Sequence, residues 1–559
     1  MRGKEAIVRL LEQAGVEVVF GLCGDTSLPY YEAFYDLKPK IKHVLTRDER
    51  SAGYMADAYA RLSGRVGVCE GPSGGGATYI IPGVAEANQS SIPLVCLTSD
   101  IDSRHRWRGT LTEIDQDALF EPITVWTKTP TDGVELARAF RDAFQRSTTG
   151  SLGATHIGLP LNVQEAEIPD EEVRINSRYS RYPAYRVAPD IETIRNAAKA
   201  IVNSRSPVIV AGAGVIRSEA WQELKSLVDL VQCPVATSIS GKGAIAETDP
   251  FALGVIGSNG GLPYRHDLVN RADLVFYIGC SCGSVTTNKW TVPVNGDATI
   301  IQMDINPSVV GLNYEVAHEI VSDAKQGLKA MIEALADLLG GKPADKMDPQ
   351  EISKLRDNYM AGIEEFQSDA APIRPERFMT ELSAVMPENG IIITDPGTPT
   401  PYVSAYYRLP RAGRWFVTNR AHGALGYSLP ASVGAHFARP DDKVVAIMGD
   451  GSFGFTSGEL ETISRLQVPV VLIVMANSIY GWIKAGQRVM GGKYFSVDFS
   501  TTDHCKIAQA YGLDAQRVEH PGDLKAALQR ALDFDGPTLL DVVVQPLHEA
   551  KAPVSKWIA

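Results

Sequence analysis

Asp450 and Asn477 are hard oxygen donors set at the ends of two apolar runs. Lys443-Val444-Val445-Ala446-Ile447-Met448 reads as a buried parallel strand. It ends in Gly449-Asp450-Gly451-Ser452, where glycines allow a sharp turn and close approach to a ligand. A helix with Leu460, Ile463 and Leu466 on one face follows. A second strand, Val468 to Met475, then stops at Asn477. This strand–helix–strand unit sets Asp450 beside Asn477 at the carboxyl edge of a sheet, where open α/β sheets bind ligands. Such oxygens suit Mg²⁺, which also takes phosphate oxygens and water. A Rossmann-type turn with an incidental aspartate is the alternative.

Other stretches offer chemistry. Glu49 opens a helix after a strand ending in Thr46-Arg47-Asp48, where an acid favours the helix N-terminus. Asp25, in Cys23-Gly24-Asp25-Thr26, is either an acid–base group or an N-cap ahead of Leu28. Arg104-His105-Arg106-Trp107-Arg108 is a solvated basic loop, or it binds an acidic substrate with His105 as proton donor. Asp395-Pro396-Gly397-Thr398-Pro399-Thr400 follows a strand and offers hydroxyls and N–H groups to phosphate; a plain Pro-rich turn is the alternative.

Gly-Asp-Gly followed after twenty-five residues by Asn477 resembles the thiamine diphosphate (ThDP) signature of the acetolactate synthase, pyruvate oxidase and benzaldehyde lyase family. The usual Asn-Asn pair is here Ala476-Asn477. The stretch Thr46 to Arg61, TRDERSAGYMADAYAR, also resembles that family's R-H-E-x-x-A-x-x-A-D-G-Y-A-R motif, with Glu49 at the catalytic position. The resemblance runs from the first helix to the last strand. It implies α/β architecture: three doubly wound parallel-sheet domains, the outer two binding ThDP and flanking a Rossmann-like central one.

By the same resemblance, Asp450, Asn477 and the Ile479 carbonyl hold Mg²⁺. Gly397, Thr398, Thr400, Gly451, Ser452, Tyr480 and Gly481 surround the cofactor. Gly423 accepts from the 4′-amino group, and Leu425 wedges the cofactor into a V. Glu49 shares a proton with N1′ of the pyrimidine. Ser73, in the Gly71-Pro72-Ser73-Gly74-Gly75-Gly76 loop, and Trp482 and Ile483 wall the substrate pocket. Asp25 matches the Gly-Asp of pyruvate decarboxylases, but Ile483 stands where those enzymes often carry Glu. Glu49 and Asp450 fall on different domains, which implies a homodimer as the minimal active unit and a homotetramer as the assembly. The implied reaction runs from a 2-oxo acid or 2-hydroxy ketone through a C2-carbanion/enamine intermediate. Ligation or lysis is favoured over non-oxidative decarboxylation of a 2-oxo acid or acyl-CoA. A catalytically silent regulatory subunit and a nicotinamide oxidoreductase are the readings from other classes.

The 559 residues are 44% hydrophobic and 21% charged, with net charge −12. That suits an enzyme of three or four domains and argues against nucleic acid as partner. Seven scattered cysteines read as buried free thiols of a cytoplasmic protein. No apolar run reaches the roughly 18 residues of a membrane span. Alternating strands and helices place domains at 1–168, 188–340 and 370–545, with a tail at 546–559. Gly212-Ala213-Gly214 is an incomplete dinucleotide fingerprint. Gly279-Cys280-Ser281-Cys282 stands where FAD-binding members carry arginines, which argues against tightly held FAD.

Overall fold

The computed structural model describes residues 1–557. Three six-stranded sheets, all paired in parallel, follow one another along the chain. The first holds β1 (Val18–Gly21), β2 (Lys42–Leu45), β3 (Gly67–Gly71), β4 (Leu94–Asp100), β5 (Trp126–Lys128) and β6 (Ala154–Pro160). The second holds β7 (Pro207–Ala211), β8 (Val235–Thr237), β9 (Ala252–Val255), β10 (Leu274–Ile278), β11 (Thr299–Asp304) and β12 (His318–Val321). The third holds β13 (Gly390–Thr394), β14 (Phe416–Thr418), β15 (Lys443–Gly449), β16 (Val470–Ala476), β17 (Asp514–Val518) and β18 (Thr538–Val543).

The first and third sheets share one topology, in the orders β2-β1-β3-β4-β6-β5 and β14-β13-β15-β16-β18-β17. In each, the connections of neighbouring strands run opposite ways between β1 and β3 and between β13 and β15. Loops diverge there and leave a crevice at the carboxyl edge. The central order, β12-β11-β10-β7-β8-β9, is the doubly wound dinucleotide arrangement. Gly212 and Gly214 serve close approach: a Cβ on Gly212 would lie 2.2 Å from the Gly279 carbonyl oxygen, and one on Gly214 2.5 Å from the Gly279 Cα.

The interior strands are apolar runs buried on both faces, as parallel sheets require. The strands that the sequence did not reveal, β5, β9, β12, β14 and β17, are sheet edges. Edge strands are short, half-polar or broken by glycine, as in Trp126-Thr127-Lys128, Ala252-Leu253-Gly254-Val255 and His318-Glu319-Ile320-Val321. The helix expected after Gly-Asp-Gly is divided. Asp450–Thr456 and Leu460–Leu466 are α-helical, with a 3₁₀ turn at Ser457–Glu459 between them. Six cysteines are buried as expected, but Cys23 is exposed on the loop after β1. No helix among the described residues is long and apolar enough to cross a membrane.

Two helices clamp the outer domains of the chain together. Asp48 caps Glu49–Ser63 by accepting from the Arg50 N–H, and Gly64 ends it at φ +71°. It packs against Ser428–Ala438 through small residues; a Cβ on Gly434 would lie 2.0 Å from the Met55 carbonyl oxygen. Across that contact Tyr427 Oη donates to Asp57 at 2.5 Å, and Arg61 bridges Asp57 and Glu86 at 2.7 and 3.0 Å.

Candidate functional site

Strands β15 and β16 are neighbours with Gly449 opposite Met475, so the turns after them emerge together. Asp450 is buried and oriented by three backbone donors. Its Oδ1 accepts from the Gly451 N–H at 2.9 Å; its Oδ2 accepts from Asn477 and Ser478 at 2.7 and 2.5 Å. Burial raises its pKa against the pull of these hydrogen bonds. A buried carboxylate held this way, with no cationic side chain within 4.0 Å among the described residues, is a ready ligand for a metal ion. The Asn477 amide lies in the same cavity wall and makes no side-chain hydrogen bond among the described residues. Ser478, at φ +59°, turns the chain so that Ile479 and Tyr480 line the wall as well.

The cavity holds about 420 Å³, enough for a cofactor-sized molecule. Gly397, Thr398, Gly423, Leu425, Gly451, Ser452, Gly481, Trp482 and Ile483 also line it. Gly397 (φ +101°) and Gly423 (φ +75°) have no atom within 4 Å of a built Cβ, so both turns open onto space. Thr400 is not part of the wall: its hydroxyl is fully buried and donates to the Asp395 carbonyl at 2.6 Å. The Gly397–Thr400 turn thus presents two of the three expected residues, because a helix starting at Pro399 turns Thr400 inward.

Two anchors for the Arg420–Tyr427 loop went unread in the sequence. Asp395, at the end of β13, accepts from the Tyr427 N–H at 2.9 Å and the Ser428 hydroxyl at 2.8 Å. Burial pushes its pKa up to about 6. Glu86, from the first domain, accepts from the His422 N–H at 2.8 Å. The only signal for Asp395 was its place just after a strand; nothing local marked Glu86.

The described part of the tail, residues 546–557, crosses the central domain into this cavity. Pro553 accepts from the Gly260 N–H at 2.7 Å, and Trp557 packs on Trp482 with ring centroids 5.1 Å apart.

Glu49 sits at the edge of the first sheet. It is 7% exposed, enclosed by Gly71 and Gly76. Burial raises its carboxyl pKa, and Asp48 and Glu70 add to the rise. Ser73 is joined to Thr26 at 3.0 Å and to Thr112 at 2.7 Å, tying together the loops after β1, β3 and β4. Asp25 and His105 are exposed on those loops. Asp25 does not cap the helix at Leu28; it opens a 3₁₀ turn, Asp25–Ser27, and accepts from the Thr26 N–H.

Glu49, Asp25, Ser73 and His105 therefore share one edge, and Asp450, Asn477 and Trp482 share another. No residue before Ser258 lines the Asp450 cavity of the same chain. A larger cavity of about 530 Å³ opens at the carboxyl edge of the central sheet, bordered by Gly212, Arg217, Cys280 and Asp304.

This pairing of two like sheets around a Rossmann-ordered third defines a class. The chain matches the N-terminal TPP binding domain of thiamine pyrophosphate enzymes over residues 1–119, their central domain over 194–331 and their C-terminal TPP binding domain over 395–542. It is 36% identical over 560 residues to the probable acetolactate synthase large subunit of Methanococcus aeolicus, covering 98% of this chain and 92% of that protein. The probable large subunit of Methanocaldococcus jannaschii is also 36% identical, over 562 residues, with the same coverage. The acetolactate synthase large subunit of Cyanidium caldarium is 29% identical over 555 residues, covering 97% of this chain and 93% of that protein. The chain belongs to the acetolactate synthase-like family of thiamine diphosphate-dependent enzymes.

Proposed function

We propose that the protein is a Mg²⁺- and ThDP-dependent carboligase or lyase acting on a 2-oxo acid or 2-hydroxy ketone. The carrying observation is the Asp450 carboxylate, fixed by three N–H groups beside the free Asn477 amide in a cavity of cofactor size. Asp450, Asn477 and the Ile479 carbonyl hold the metal ion. Backbone N–H groups of Gly451 and Ser452, with Gly397, Thr398, Tyr480 and Gly481, hold the diphosphate. When bound, ThDP supplies a nucleophilic carbon for carbonyl addition, with the protein orienting and tuning it. Gly423 would accept from the pyrimidine amino group, and Leu425 would pack against the cofactor beside it. Glu49, protonated more readily because it is buried, passes a proton to the pyrimidine.

Since no residue before Ser258 borders the cavity, Glu49 is supplied by a second copy. A homodimer is then the smallest working unit, and pairing of dimers gives the homotetramer. That copy also brings Asp25, Ser73 and His105 to the reacting end. Ile483, 55% exposed, and Trp482 leave an apolar wall there, which favours carbon–carbon bond making or breaking over simple protonation. Exposed Asp25, between Gly24 against Pro72 and Thr26 bonded to Ser73, supports a second reading, non-oxidative decarboxylation of a 2-oxo acid or acyl-CoA. Mass spectrometry of products from paired 2-oxo acids and aldehydes separates the two.

The test of cofactor binding is calorimetry with ThDP and Mg²⁺. Wild type binds and Asp450→Ala does not; full cofactor occupancy in that variant overturns the ligand assignment.

A further inference from the structure

Arg420 stands at the junction of the two cavities and lines both. Its Nε is buried without a partner among the described residues. With the Asn259 amide turned so that its oxygen faces the arginine, Nη2 donates to it at 2.5 Å. No carboxylate comes within 4.0 Å of the guanidinium among the described residues. Arg420 is half-buried, and a guanidinium turned largely from water is ordinarily paired, because an uncompensated charge there is costly. Burial alone lowers the pKa of this one, and Glu86 only partly offsets it.

The other charged side chains of the cleft are mostly basic. Lys289 and Lys556 line it, neither within 4.0 Å of a carboxylate among the described residues, and Asp450 is its single acid. Such a cleft draws anions and concentrates them.

ThDP does not account for Arg420. On the reading above, its diphosphate sits against Asp450, Asn477 and Mg²⁺, whereas Arg420 belongs to the loop of Gly423 and Leu425 at the pyrimidine end. Nor does the carboxylate lost in a decarboxylation. A guanidinium clamped on that group stabilises the ground state more than a transition state in which the charge is dispersing. A second anion, one that stays on the substrate, satisfies both the geometry and the charge.

We propose that Arg420 is a specificity-determining residue that binds a second, retained anionic group of the substrate, so that the preferred substrate is a dianionic 2-oxo acid, carrying a distal carboxylate or sulfonate, rather than a simple monoanionic one. This rests on the proposed ThDP chemistry of the same site. Lys289 and Lys556 add a screened attraction at the mouth, and the Arg420 fork supplies the directional, charge-assisted hydrogen bonds.

The experiment compares wild type, Arg420→Met and Arg420→Lys, each loaded with ThDP and Mg²⁺. Three quantities are measured: ThDP affinity by calorimetry; kcat/KM for pyruvate against oxaloacetate, 2-oxoglutarate and a sulfonated 2-oxo acid; and the thermal shift caused by unreactive succinate and by ADP, each with and without cofactor. Wild type is expected to favour dianions by roughly 10- to 100-fold, the range set by a hydrogen bond to a charged group. Arg420→Met brings that ratio near one, mainly through KM, with ThDP affinity retained; Arg420→Lys keeps part of it and decides the matter if the methionine variant does not fold. Equal use of mono- and dianions by wild type overturns the proposal, as does a preference that survives both substitutions. Loss of ThDP affinity, or of the ADP shift in place of the succinate shift, assigns Arg420 elsewhere and also overturns it. Failure of wild type to bind ThDP overturns the underlying reading instead, and the succinate shift of the cofactor-free chain then decides this one.

Discussion

A carboxyl that must take up and give back a proton works best when its two charge states are close in free energy. Glu49 has that setting, since burial between Gly71 and Gly76 and the nearby Asp48 and Glu70 all oppose ionisation. Replacing Glu49 with Gln should leave ThDP bound while slowing exchange of its C2 proton by about 10²- to 10⁴-fold, the usual worth of a positioned acid–base group. Deuterium exchange followed by NMR reads this directly, and an unchanged rate removes Glu49 from the role.

Asp395 makes a prediction about stability. Burial holds its folded pKa at about 6, above the ordinary aspartate value of 3.8, so the folded state holds its proton more tightly than the unfolded state. The stability this contributes is complete below about pH 4 and is lost as pH rises through about 6. Asp395→Asn removes that dependence. Its thermal midpoint should therefore gain on wild type between pH 4 and 7, by up to about 3 kcal/mol of relative stability; a difference independent of pH contradicts the assignment. Asp450, Asn477 and Glu49 were legible because each ends a strand or opens a helix within a recognisable spacing. Asp395 and Arg420 were not. Their importance comes from burial and from partners as distant as Glu86 and Asn259, which local pattern does not encode.

At the scale of elements, the site is made by turns at sheet edges, and the turns are placed by close helix packing. Interior strands announced themselves as apolar runs, so all three sheets were visible in outline. Their edges were not, because Asp514-Ala515-Gln516-Arg517-Val518 reads as surface until a neighbouring strand is known. The break at Ser457–Glu459 was equally hidden; Glu459 there accepts from the Arg47 N–H of the first domain at 2.9 Å, a tertiary reason for a local irregularity. The packing of Glu49–Ser63 on Ser428–Ala438 depends on Gly434, where an added methyl meets the backbone of Met55 at 2.0 Å. Backbone cannot swing aside as a side chain does. Gly434→Ala should therefore cost about 1–3 kcal/mol, the usual range for overpacking, and lower the thermal midpoint by several degrees. An unshifted midpoint means that the two helices separate easily and do not fix the distance between the outer domains.

At the scale of the molecule, the two halves of the proposed chemistry lie on different edges of one chain. Glu49 belongs to the first sheet, Asp450 and Asn477 to the third, and the cavity beside Asp450 is bordered only by residues from Ser258 onward. The common strand order of the two outer sheets permits an arrangement in which the first sheet of one copy faces the third of another, related by a two-fold axis. Each dimer then has two sites, each needing Glu49 from one chain and Asp450 from the other. Complementation tests this without a structure of the assembly. Glu49→Gln and Asp450→Ala are each nearly inactive alone. Mixed in equal amounts and allowed to exchange subunits, half of the dimers are mixed, and each mixed dimer joins one intact Glu49 to one intact Asp450 at one of its two sites. Activity should return to about one quarter of wild type. If both residues instead served a site within a single chain, every chain in the mixture would carry a defect and no activity would return, whatever the subunit exchange.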